Sequence, residues 1–91
     1  MIASFRHKGL KLLYNRDDAR QIGPDLHKKV KRILTALDAA TNERAMDLPG
    51  YDLHRLKGKM KAFWSVTVTG NWRIIFRFDA HGDATDVDYI D

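Results

Sequence analysis

The sequence contains no cysteine, only two prolines and no long apolar run among its 91 residues. The lack of cysteine excludes disulfide bonds and thiolate metal ligands, and it fits a cytoplasmic protein. No segment approaches the roughly 18 consecutive apolar residues of a membrane span, and the N-terminus shows no secretory pattern. We therefore expect a cytoplasmic chain with no membrane partner.

The composition is that of an ordinary globular chain, with 44% hydrophobic and 31% charged residues. A chain of this length has room for one core, so we expect a single domain over residues 1–91. Sixteen basic and twelve acidic residues give a net charge of +4. This moderate excess permits a nucleic-acid partner without requiring one.

Known catalytic and metal-binding signatures are also missing. There is no HExxH, no glycine-rich phosphate loop and no Gly-x-Ser-x-Gly motif. The four histidines do not show the spacing of metal ligands. We expect neither a metal ion nor a cofactor.

The strongest structural signal is a β-hairpin within Leu53–Phe78. A three-residue loop, Thr69-Gly70-Asn71, with glycine available for positive φ, pairs Val68 with Trp72, Val66 with Ile74 and Trp64 with Phe76. One face then carries the apolar set Trp64, Val66, Val68, Trp72, Ile74, Phe76 and Phe78. The other face carries Phe63, Ser65, Thr67, Arg73, Ile75 and Arg77, and we expect it to be mostly polar and free to meet an anionic partner.

Helical periodicity precedes the hairpin. Gly9 to Tyr14 predicts a short helix, and apolar residues spaced i, i+4, i+7, i+8 and i+11 from Leu26 predict an amphipathic helix that reaches about Ala40. Strands are predicted at Ile2–Phe5, Leu53–Lys57 and Ala84–Ile90. The order β-α-α-β-β-β-β indicates an α+β fold in which the helices cover one face of an antiparallel sheet.

Three residues of the hairpin region could carry chemistry. His54 can transfer protons near neutral pH, and Lys57 could stabilise a phosphate charge. The planar guanidinium of Arg73 suits a phosphate better than any other side chain, and Arg77 shares its strand face. The alternative is that His54 and Lys57 are solvated surface groups and that Arg73 is an exposed cross-strand residue.

A basic cluster follows the first strand of this region. Arg55, Lys57, Lys59 and Lys61 surround a glycine-containing turn, and Phe63 lies beside Arg77 in the predicted pairing. Cations near an aromatic ring are typical of single-stranded RNA binding, in which bases stack and phosphates are paired. A solvated loop is the alternative interpretation.

The segment LPGYDLHRLKGKMKAFWSVTVTGNWRIIFRF and the opening MIASFRHKGLKLLY resemble the HigB family of bacterial toxins, also called plasmid maintenance killer proteins, within the RelE/ParE superfamily. The resemblance covers nearly the whole chain, and the combination L-H-x-L-K-G, W-S-V-x-V and N-W-R-I-x-F is specific. It implies a RelE-like fold of the microbial-ribonuclease type and a toxin of a type II toxin–antitoxin system. It also implies ribosome-dependent cleavage of translated mRNA in the A site by a metal-independent endoribonuclease.

The resemblance places His54, Lys57 and Arg73 at family positions tied to RNA cleavage. Arg55, Lys59, Lys61 and Arg77 are the further candidates for RNA binding. The implied partners are the ribosome, mRNA and a helix-turn-helix antitoxin of the HigA type, with operator DNA bound only through that antitoxin. The implied location is the bacterial cytoplasm.

One departure concerns the last residues. Family members commonly end in Asp-Tyr-His, and we align Asp91 with that aspartate, so that the sequence given lacks the Tyr and the His. Matching Asp88-Tyr89 instead would put Ile90 where the histidine belongs. We expect Asp91 to support catalysis, and we expect these 91 residues to cleave mRNA weakly or not at all while still binding the antitoxin. The alternative function is a non-cleaving protein of the toxin fold that binds an antitoxin or gyrase.

Overall fold

Two helices and a four-stranded antiparallel sheet make up the protein, and the computed structural model describes all 91 residues. Helices α1 (Lys8–Arg16) and α2 (His27–Ala39) precede strands β1 (His54–Arg55), β2 (Trp64–Thr67), β3 (Arg73–Phe78) and β4 (Ala84–Ile90). The strands follow one another in the sheet in chain order. The predicted α+β class is confirmed. Neither helix has the length and apolar character needed to cross a membrane.

Helix α2 forms where the apolar spacing predicts it. Pro24 begins a 3-10 turn, Pro24–Leu26, which leads directly into the α-helix. Proline suits a first helical turn because the missing N–H has no intrahelical partner there. Four residues of the apolar stripe are buried, namely Val30, Ile33, Leu34 and Leu37, and Leu26, just before the helix, is half-buried.

The hairpin register is the predicted one. Trp64 lies opposite Phe76 and Val66 opposite Ile74, and the Val68 amide donates to the Trp72 carbonyl at 2.9 Å. Gly70 does not adopt the positive φ that the sequence analysis allowed for it. The Thr69 hydroxyl instead accepts hydrogen bonds from the amides of Asn71 and Trp72, and these bonds hold the loop.

The apolar face of the hairpin packs under the helices, as predicted. A cluster of 17 buried residues joins Val66, Ile74 and Phe76 of the sheet to α1 and α2. Trp64 and Trp72 are half-buried and pack against this cluster. Burial of this face provides the main hydrophobic stabilisation of the fold.

The N-terminal segment lies beside β4 at the edge of the sheet. Ile2 and Phe5 form isolated parallel bridges with Ala84 and Val87, so the segment predicted as an edge strand runs along the sheet without becoming a regular strand. Strand β1 is shorter than the predicted Leu53–Lys57. Positive φ angles at Asp52 (49°) and Gly58 (67°) bend the chain on either side of it.

The face turned away from the helices, here called the outer face, differs from the prediction. It carries His54, Phe63, Ser65, Thr67, Arg73, Ile75 and Arg77. We expected it to be largely free, but Phe63, Ser65 and Ile75 are buried. Ser65 and Ile75 lie on the two central strands, each flanked by a strand on both sides. The Arg6 guanidinium lies over the Phe63 ring, 5.2 Å from its centroid.

Candidate active site

The sheet register places His54 and Arg73 on the same outer face, with His54 in the row of Ile75, midway between Arg73 and Arg77. His54 lies opposite Ser65 on β2, and Arg73 lies opposite Thr67 on the same strand. Sheet spacings place the Cα atoms of His54 and Arg73 about 12 Å apart, with the two hydroxyl residues between them. Side chains that extend toward each other from these two positions can contact one phosphodiester group bound on the outer face.

His54 is held in a defined tautomer. Its Nδ1 lies 3.0 Å from the backbone carbonyl oxygen of Asp52. A carbonyl oxygen can only accept a hydrogen bond, so Nδ1 carries the proton, and the Nε2 of the neutral ring keeps its lone pair. The ring is exposed, and Nε2 is therefore available to take a proton from a bound ligand.

The carbonyl of Asp52 is a part of this site that sequence reasoning missed. Asp52 adopts a left-handed conformation, with φ of 49°, at the end of a turn that includes Gly50. Aspartate tolerates this region better than most residues do. The Pro49-Gly50 turn signal followed by an aspartate was visible in the sequence, but its effect on the His54 ring was not.

The two candidate arginines of β3 differ in their partners. Arg77 donates from Nε and Nη2 to Oδ2 of Asp86, at 2.9 and 2.8 Å. Arg6 lies 3.7 Å from the other carboxylate oxygen of Asp86. Arg73 makes no side-chain hydrogen bond and no ion pair within the chain, although it is half-buried. The structure thus leaves the charge of Arg73 uncompensated and compensates that of Arg77.

The basic turn after β1 lies next to His54 along the chain. Lys57 immediately precedes the 3-10 turn Gly58–Met60, and Lys57, Lys59 and Lys61 are all exposed and make no ion pair. Their charges are therefore available to an anionic ligand. Gly58 allows the bend at this point because φ is positive there.

Arg55 lies on the opposite side of β1 from His54. It is paired with Trp64, whose ring lies 5.8 Å below its guanidinium, and its Nε donates to the Lys61 carbonyl at 2.7 Å. These contacts tie the basic turn to β1. The structure does not bring Arg55 together with His54 and Arg73.

Asp91 lies at the same end of the sheet as Arg73. It follows Ile90, the last residue of β4, which is paired with Arg73. The Asp91 side chain is exposed and makes no hydrogen bond or ion pair within the chain. Its predicted supporting role remains a prediction.

Ser65 is a second residue that sequence reasoning did not single out as part of the site. Its side chain is fully buried between His54 and Ile75, and its hydroxyl has no hydrogen-bond partner. Unpartnered buried hydroxyls are uncommon because leaving one costs about 1–3 kcal/mol. The structure contains no group of three His, Asp or Glu side chains that could hold a metal ion.

Comparison with known proteins identifies the family of this chain. A family model described as the RelE-like toxin HigB of type II toxin–antitoxin systems matches residues 3–91, and the chain belongs to this family of HigB-like toxins. Within that class, it is 41% identical over 91 residues to endoribonuclease HigB of Proteus vulgaris. The alignment covers 100% of this chain and 98% of that protein. The resemblance seen in the sequence is confirmed, and membership in a type II toxin–antitoxin family implies an antitoxin partner.

Proposed function

We propose that this toxin is a metal-independent endoribonuclease that cuts translated mRNA in the ribosomal A site. Its family is that of type II toxins, and its relative from Proteus vulgaris is named an endoribonuclease. The proposal further includes a bacterial cytoplasmic location and neutralisation by a HigA-type helix-turn-helix antitoxin. Operator DNA is then reached only through that antitoxin.

One observation carries the proposal: a histidine with a free Nε2 shares a sheet face with an unpaired arginine. The hydrogen bond to the Asp52 carbonyl fixes the His54 tautomer, and no carboxylate neutralises Arg73. A base beside uncompensated positive charge suits attack on a phosphodiester, because the attacking group loses a proton while negative charge builds on the phosphoryl oxygens.

The reaction that fits this arrangement is transfer within the RNA strand. His54 Nε2 takes the proton of a ribose 2′-hydroxyl, and the 2′-oxygen forms a bond to the adjacent phosphorus. The bond from phosphorus to the 5′-oxygen breaks, and that oxygen takes up a proton from the solvent, to which His54 then releases the proton that it accepted. The products are a 2′,3′-cyclic phosphate and a 5′-hydroxyl end, so no water or metal ion is consumed.

The cations divide between the reacting phosphate and its neighbours. Arg73 and Lys57 stabilise the charge that develops on the phosphoryl oxygens, since a pre-positioned donor of this type is worth about 10²–10³ in rate. Lys59 and Lys61, on the same exposed turn, contact the flanking phosphates. Asp91 supports the site from the end of β4.

Primer extension on an mRNA in a translating extract tests this function. The wild type should produce discrete cuts in A-site codons, and His54→Ala should lower cutting by about 10²–10⁴-fold, because a positioned acid–base group contributes that much. His81→Ala is the matched control, since His81 is exposed in the turn before β4. We expect cutting by that variant to equal that of the wild type.

The same assay should include the chain extended by Tyr-His after Asp91, which the family resemblance leads us to expect will cut more strongly. A parallel reaction on the same mRNA without ribosomes measures the ribosome dependence. Equal cutting by wild type and His54→Ala, in both the 91-residue and the extended form, would contradict the proposed mechanism. Absence of any cut by all forms would contradict the proposed activity.

A further inference from the structure

A second site lies on the helix side of the sheet, away from His54. It is a cavity of about 500 Å³ between the start of α1, the turn before α2 and the hairpin loop. The residues that matter here are His7, Gln21, Asp25, Trp72 and Tyr89, all of which line it. Pockets of about 300–1,000 Å³ hold small ligands, so this volume accommodates a side chain of a partner.

Tyr89 gives the cavity a buried polar group without a partner. Its side chain is 7% exposed, and its hydroxyl makes no hydrogen bond within the chain. The ring stacks on Trp72 with centroids 4.6 Å apart, and the His7 ring meets its edge at 5.5 Å. These contacts fix the ring, so the hydroxyl cannot turn to another partner of the protein.

Asp25 supplies the only formal charge among the lining residues. It is exposed, and no cation of the chain lies within ion-pair distance of its carboxylate. Burial raises the pKa of the Tyr89 phenol, and the negative charge of Asp25 raises it further. His7 adds no positive charge through Nδ1, because that atom accepts a hydrogen bond from the Leu10 amide.

The chemistry of this lining selects a cationic donor. The Asp25 carboxylate, the Tyr89 oxygen and the Gln21 amide oxygen are three acceptors. One face of the Trp72 ring stacks on Tyr89, and its other face can attract a cation. A guanidinium satisfies such a set best, because its planar fork matches a carboxylate and stacks on aromatic rings. An RNA phosphate would instead meet the uncompensated Asp25 charge.

We propose that this cavity receives an arginine side chain of the cognate antitoxin. We assign a protein occupant and not RNA, because the only charge in the cavity is negative, while His54 and Arg73 lie on the other face of the sheet. The inference rests on the antitoxin partner of the proposed function. The antitoxin then contacts Trp72 on the helix side of the sheet, next in sequence to Arg73 on the outer face.

Calorimetric titration of the purified toxin with its antitoxin tests this site. All forms carry His54→Ala, so that the protein can be produced and binding is measured independently of cleavage. Asp25→Asn removes the charge but keeps the shape, and we expect it to weaken binding about 10–100-fold, as the loss of a charged hydrogen bond does. Asp25→Glu keeps the charge and should bind more tightly than Asp25→Asn.

Two further variants separate the cavity from general electrostatics. Asp47→Asn makes the same charge change at another exposed aspartate, and we expect binding within about twofold of the parent. Tyr89→Phe removes only the unpartnered hydroxyl and should weaken binding about 2–10-fold, the range of a neutral hydrogen bond. Circular dichroism of each form checks that the fold is unchanged.

The outcomes distinguish this inference from the proposed function. Equal binding by Asp25→Asn and the parent would overturn the cavity assignment, as would an equal loss for Asp47→Asn. Spermidine binding that depends on Asp25, with antitoxin binding unaffected, would overturn it in favour of a small polyamine. An antitoxin that fails to bind even the parent would contradict the proposed partner itself, whereas failure of mRNA cutting leaves the binding result intact.

Discussion

Arg73 and Arg77 lie on the same face of β3, four residues apart, yet the two side chains differ in their ion pairing. At the Arg77 end, Asp86 and Arg6 complete a charge cluster over the Phe63 side of the sheet. At the Arg73 end, the paired residue on β4 is Ile90, which offers no charge. The same side-chain type is therefore neutralised at one end and left uncompensated at the other.

This difference separates a structural arginine from one available to a ligand. An exposed ion pair contributes little to stability, about 0–1 kcal/mol, but it occupies the guanidinium that a phosphate would need. An arginine without a carboxylate can pair with a phosphate without first losing a protein partner. The free Nε2 of His54 lies in the row of Ser65 and Ile75, midway between the two arginines, so ion pairing, and not distance from His54, distinguishes Arg73 from Arg77.

Ile75 lies between Arg73 and Arg77 on β3. Its replacement tests how much the burial of this side chain contributes to the stability of the fold. Ile75→Ala should lower the free energy of unfolding by about 2–5 kcal/mol, through lost burial and the cavity that remains. Ile75→Val, which removes one methyl group, should cost about 0.5–1.5 kcal/mol. Urea unfolding followed by tryptophan fluorescence measures both.

A loss below about half a kcal/mol for Ile75→Ala would mean that the outer face behaves as ordinary exposed surface. Such a result would favour the predicted free outer face, although the Ile75 side chain is only 2% exposed.

A carboxylate opposite Arg73 should remove the difference between the ends. Ile90→Asp places an acidic group at the β4 position paired with Arg73, and we expect mRNA cutting to fall by about tenfold, because the new charge competes with the phosphate. Ile90→Asn has nearly the same shape without the charge and is the matched control. Primer extension in a translating extract, in the chain extended by Tyr-His, compares the two.

Equal cutting by Ile90→Asp and Ile90→Asn would show that a neighbouring carboxylate does not compete for Arg73. An equal fall in both variants would point to the loss of the isoleucine side chain rather than to charge.

Alternation of apolar residues was sufficient to predict the hairpin register, the face that packs under α2 and the extent of β4. The partner of Arg77 could not be predicted, because it depends on a β-bulge. Between the pairs Arg77–Thr85 and Ile75–Asp88, β4 has one residue more than β3, and Asp86 takes a φ of 53° there. The Asp86 amide donates to the Ser4 hydroxyl, a contact across 82 residues that no local pattern contains.

The burial on the outer face was missed for a related reason. Period-two alternation assigns a residue to a face, but it does not say which side chains will screen it from water. Ser65 and Ile75 are buried, and both lie on central strands. The free Nε2 of His54 likewise depends on the position of a backbone carbonyl, which a sequence does not display.

The most direct test compares Arg73→Ala with Arg77→Ala in one translating extract, again in the chain extended by Tyr-His. Both substitutions remove one guanidinium from the same face of β3, so charge and strand position are matched. We predict that Arg73→Ala lowers A-site cutting by about 10²–10³-fold, the effect of losing a pre-positioned donor, and that Arg77→Ala stays within about threefold of the wild type. Equal loss in the two variants would contradict the assignment of the uncompensated end as the site of RNA cleavage.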